Sequence, residues 1–185
     1  MSEQQISRLN LYSGIHKALR AYMNDTVQRT SRIDGEDAED LSGGLRQVRE
    51  LLAFMRKHLQ HEARHVHPAM NARRPGSAQV TEGDHDHHDW AIDKLNALCD
   101  HVEQASGARR TAQLYHLQLQ LSVFVGENLV HMRSCTVALT VLPLVAFGSS
   151  ASFMPLASAE RCVRFSMLSG LGSKTSPCAI AAWPL

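Results

Sequence analysis

Four stretches of this chain carry an apolar stripe at helical spacing, and on each stripe at least one histidine replaces an apolar residue. The first stripe runs Leu9, Tyr12, His16, Leu19 and Met23. The second runs Val48, Leu51, Met55, His58 and Glu62. The third runs His85, His88, Ile92, Leu95, Cys99 and Val102. The fourth runs Leu114, Leu117, Leu121, Phe124, Asn128 and His131. Steps of three and four place all members of a stripe on one helix face. Such faces must bury against one another, so the chain is constrained to an all-α fold. We expect an up-down-up-down four-helix bundle with an irregular C-terminal tail.

Turn residues set the helix ends. Segment A spans about 5–29, and "SRIDGEDAED" links it to segment B, about 41–71. Pro75 and Gly76 punctuate the next connection. Segment C begins near Asp84 and breaks at Ser106 and Gly107. Segment D begins near Ala108.

The chain divides in composition at Arg133. Residues 1–133 hold the bundle pattern. Residues 134–185 contain no aspartate and a single glutamate, Glu160, and show no clean period. We expect this second part to be a low-charge, poorly ordered tail.

All eleven histidines lie between His16 and His131. One core histidine can be satisfied by a hydrogen bond. Five imidazoles and a carboxylate in one layer are different, because burying them without a cation would cost several kcal/mol. His58 and Glu62 stand four apart, one above the other, and can share a metal. The candidate ligands are therefore His16, His58, Glu62, His85, His88 and His131, with Glu127 added because it precedes His131 by four residues. His61, His65, His101 and His116 read as surface residues. His87 lies beside the third stripe, and His67 adjoins Pro68, read as the end of the helix. Imidazole and carboxylate with almost no thiolate nearby suit iron, zinc, manganese or copper better than a structural cysteine-zinc site.

Other classes find little support. The net charge is +1, and no polybasic arm points to nucleic acid. No apolar run reaches the roughly 18 residues of a membrane span. "MSEQQISRLN" is polar, so no secretory leader is expected. The four cysteines form no CxxC pair, which reads as reduced thiols in the cytoplasm. No nucleophile elbow or phosphate loop appears, and an enzyme is the less favoured reading. One enzyme class, the ferritin-like di-iron carboxylate proteins, needs Glu-x-x-His pairs. Glu62 with His65 and Glu82 with His85 have that spacing, but Glu82 precedes Gly83 and is expected outside the helix. A helical interaction protein, with Arg56, Lys57 and Arg64 as an exposed basic face, is the remaining alternative.

The runs "FMRKHLQHEARHVHPAM" and "FVGENLVHM", with His16 in "LYSGIHKALRAYM" and the opening "DHDHH" of segment C, are those of a known pattern. Over about 5–133 the chain resembles the hemerythrin-like, HHE cation-binding domain proteins. The resemblance implies a non-haem di-iron centre bridged by carboxylates that binds O2, NO or a similar diatomic, for sensing, storage or stress response. It implies His16 as the ligand of helix A, His58 and bridging Glu62 in helix B, His88 in helix C and His131 in helix D. The first helix C ligand is open between Asp84 and His85. The oligomeric state is open as well.

The chain departs from the family at one place. A bridging carboxylate four or five residues after the helix D histidine is part of the pattern, and Cys135 and Thr136 stand there instead. Glu127 would partly substitute, and a single metal becomes an alternative to two. The loss coincides with the change in composition. A frameshift near codon 133 would account for both, and another reading frame of the gene should then restore an acidic, helical continuation. If the tail is native to the chain, helix D is expected to lose its last turn and its cap.

Overall fold

A computed structural model describes residues 12–141, with side chains as far as Thr136. Among these residues the fold is all helical. Helix α1 covers Ser13–Thr30, α2 Ala38–His61, α3 His67–Arg73, α4 Gln79–Gln104 and α5 Gly107–Val141. A π-helical turn, Glu62–Val66, joins α2 to α3 without a break, so one rod runs from Ala38 to Arg73. Helix α1 packs on α2 and α5, and α4 packs on the same two, giving a four-sided bundle.

Local chemistry explains the ends. The Asp37 carboxylate caps α2 by accepting hydrogen bonds from the backbone N–H groups of Glu39 and Asp40. Gly76, at φ 80°, turns the link between α3 and α4 through backbone that other residues rarely adopt. Pro68 does not end its helix. It has no N–H to donate and its ring crowds the carbonyl four residues back. The rod absorbs it with one wider turn, in which His67 N–H donates to Glu62 O, five residues earlier.

The stripes meet as their spacing requires. Leu19, Met23, Leu45, Val48, Leu51, Met55, Ile92, Leu95, Cys99, Leu117, Leu121 and Phe124 form the core. Two arginines tie α2 to α4 outside it. Arg49 reaches Asp100 and Glu103, and Arg56 reaches Asp89 and Asp93, at 2.6–2.7 Å. Arg56 on the basic face of helix B thus has partners within the bundle.

Three boundaries differ from expectation. Helix α4 begins at Gln79, so Glu82 and Gly83 are helical. Helix α5 continues past Arg133 to Val141, so helix D does not lose its last turn there. Apolar and β-branched residues carry its backbone hydrogen bonds as well as charged ones would. The remainder of the low-charge segment, 142–185, lies outside the described residues. No described helix is long and apolar enough to cross a membrane.

Candidate metal centre

The apolar core gives way, near one end of the bundle, to a buried polar layer. It contains His16 from α1, His58 from α2, Glu62 from the π turn, His67 from α3, His85 and His88 from α4, and His131 and Cys135 from α5. Each is no more than 8% exposed.

Glu62 is central, and its two oxygens face different histidines. Oε1 lies 3.4 Å from His58 Nε2 and 3.6 Å from His16 Nε2. Oε2 lies 3.0 Å from His85 Nε2 and 3.6 Å from His131 Nε2. Burial opposes ionisation of this carboxyl, but the close imidazoles of His131, His16 and His85 outweigh it and hold Glu62 well below the ordinary range. An anion is thus fixed among four imidazoles. The Tyr12 ring stacks on His16 at 4.3 Å, and its hydroxyl donates to Glu62; burial and that carboxylate push the phenol up.

The remaining histidines close the layer. His67 packs on His85 at 4.6 Å between ring centres, and His88 meets His131 edge-on at 5.2 Å. Burial, reinforced by neighbouring imidazoles, lowers His58 and His88 to about 4, so both are neutral near pH 7. His131 goes the other way. Burial opposes its charge, but contacts with Cys135, Glu62 and Asp84 raise it to about 10. Asp84 Oδ2 lies 3.1 Å from His131 Nδ1. That nitrogen therefore holds the proton for Asp84, and Nε2 faces Glu62 and Cys135.

Six of the seven candidates from sequence, His16, His58, Glu62, His85, His88 and His131, are brought to this layer. Glu127 is not. A four-residue step leaves it about 40° round the helix from His131. Its side chain is half-exposed and pairs with surface His87 at 3.1 Å. His61, His65, His101 and His116 are exposed as expected. His67 and Cys135 were not expected at the site. His67 turns inward because the π turn inserts one residue into the helical count after Glu62. Cys135 turns inward because α5 keeps its phase beyond Arg133, one turn past His131. An uninterrupted helical count at either place would have found Cys135 but not His67. The expectation of almost no thiolate near the site is corrected: Cys135 Sγ is 3.3 Å from His131 Nε2.

The layer suits a cation by its own chemistry. His16 Nδ1 and Nε2, His58 Nε2, Glu62 Oε1, His67 Nε2, His85 Nδ1 and both nitrogens of His88 are buried without a hydrogen-bond partner. A buried polar atom left unpaired costs about 1–3 kcal/mol. Eight in one layer rival the ~5–15 kcal/mol stability of a whole domain, and a bound cation offsets that cost. Among the described residues, three sets offer donor atoms within 4.8 Å of one another: His16, His58 and Glu62; Glu62, His67 and His85; and Glu62, His131 and Cys135.

A family model, the hemerythrin HHE cation-binding domain, matches residues 9–132. The chain belongs to that family. No curated protein and no solved structure matches it. The family is described as cation-binding, and the histidine and carboxylate layer of this hemerythrin domain fits a metal site. The matched residues contain every histidine of the layer, whereas Cys135 lies three residues beyond them.

Proposed function

We propose that this hemerythrin domain holds non-haem iron, as a pair of ions, and binds O2, NO or a similar diatomic for sensing, storage or stress response. The observation that carries the reading is the division of Glu62. Its oxygens face two separate histidine groups, His16 with His58 and His85 with His131. A carboxylate so placed can serve two ions at once. His88 and His67, with unpaired buried nitrogens, are further ligands for the second group.

Iron bound there would supply a redox-active position for a small ligand. The protein's own residues do the rest. Burial of all six histidines excludes water from the layer. Asp84 fixes the His131 tautomer, and the Tyr12 hydroxyl stands beside Glu62 as a proton donor toward the anion. Binding releases protons, because His131 must give up its charge to become a ligand.

The ferritin-like enzyme reading has less support, since His65 is exposed and its Glu62-x-x-His65 pair does not form. A purely helical interaction protein would leave the unpaired layer without a purpose. The Cys99 and Cys135 thiols are free, in keeping with a cytoplasmic setting. Neither a nucleic-acid surface nor a membrane partner is part of this reading.

The test is anaerobic loading of the metal-free protein with ferrous iron, followed by elemental analysis and visible spectra in air and under NO. Near-stoichiometric iron, two per chain, with spectra that respond to either gas is expected. Protein that takes up no iron overturns the proposal.

A further inference from the structure

The helix α5 ligand that the family pattern would supply as a carboxylate has no acidic residue here. Thr136 does not replace it, because its hydroxyl donates to Met132 O one turn back. Cys135 stands on the correct face. It is 1% exposed, and its Sγ lies 3.3 Å from His131 Nε2. With Nδ1 of His131 engaged by Asp84, Nε2 is the free donor. Glu62, His131 and Cys135 then offer oxygen, nitrogen and sulfur within 4.8 Å of one another. A second observation points to a ligand at the same place. His88, 3% exposed and edge-on to His131, has neither ring nitrogen paired.

We propose that Cys135 supplies a thiolate to the metal ion held on the Glu62 Oε2 side, making that position a mixed nitrogen, oxygen and sulfur site. The inference rests on the metal-centre reading above. On binding, the S–H bond breaks and its proton leaves to solvent. The sulfur lone pair forms the bond to the ion, and no oxidation state changes. Exchange of a hard carboxylate for a soft thiolate tilts this position toward zinc and cobalt and away from manganese. The departure from the family at residue 135 is thus a change of metal preference rather than an empty ligand position.

Cobalt(II) alone, added to the full-length metal-free protein, reads the bond directly. Bound cobalt should give a near-ultraviolet thiolate-to-cobalt charge-transfer band. Cys135→Ser and Cys135→Asp should both lack it, and Cys135→Asp should still bind cobalt with unchanged far-ultraviolet circular dichroism. The zinc-to-manganese affinity ratio should fall at least about tenfold in Cys135→Asp. A band that persists in both variants comes from Cys99, Cys162 or Cys178 and overturns the inference. Bound cobalt without a band in the wild-type chain overturns it too, while leaving the centre itself standing. Failure of any cobalt to bind overturns both.

Discussion

Asp84 and His131 lie 47 residues apart in the chain, on different helices, and meet with 3.1 Å between Oδ2 and Nδ1. The contact decides which imidazole nitrogen of His131 is presented to the buried layer. A carboxylate behind a ligating histidine fixes its tautomer and raises its basicity. Asp84→Asn should therefore keep the site but weaken it. We expect metal affinity to fall about 10–100-fold, with full occupancy recovered at high metal concentration. Competition against a chelator of known affinity measures this, and an unchanged affinity would remove Asp84 from the account.

Glu62 is the one carboxylate that both histidine groups share. Glu62→Gln keeps the shape and removes the charge, so the metal-free protein should remain helical while iron content falls close to zero. Elemental analysis and circular dichroism on the same sample separate loss of metal from loss of fold. Iron retained at the wild-type level would contradict the bridging role.

His67 and Glu127 make a paired test. His67 is buried 4.6 Å from His85, whereas Glu127 pairs with His87 at the surface. His67→Ala should lower iron affinity several-fold. Glu127→Ala should leave iron content unchanged and shift stability by no more than about 0.5 kcal/mol, as for other exposed sites. The opposite ranking would restore Glu127 as a ligand.

Acid should destabilise the metal-free protein in a defined window. Folding holds His58 and His88 at about 4, below the ordinary 6.5. Between those values the unfolded chain binds more protons, so stability falls as pH falls from 6.5 to 4. His131, raised to about 10, is protonated in the folded protein throughout, so it opposes the loss slightly near pH 6.5 and adds no slope lower down, where the unfolded form is protonated as well. Glu62, held low, adds to the loss once pH enters the ordinary carboxylate range, where the unfolded chain takes up a proton that the folded protein does not. The combined loss should be about 5 kcal/mol. Urea unfolding of the metal-free protein at pH 7, 6, 5 and 4 measures it, and a flat profile would show that the imidazoles are not desolvated.

The sequence by itself determined the helices, their buried faces and most of the layer. Hydrophobic periodicity is a local property, and a histidine that falls on a stripe is carried inward with its apolar neighbours. That reasoning reached His16, His58, Glu62, His85, His88 and His131 without coordinates. Tertiary structure alone decided the rest. One residue of extra π turn, accommodating Pro68, rotated His67 into the core. An uninterrupted α5 carried Cys135 to His131, where a change in composition had suggested that the helix would stop. Packing against α4 turned Glu127 out to His87 and set Asp84 behind His131. Periodicity gives the phase of each helix only to within a fraction of a turn, and it cannot register a single inserted residue or one helix against another. Those offsets are fixed by side chains meeting across the bundle, and the choice among neighbouring candidate ligands depends on them.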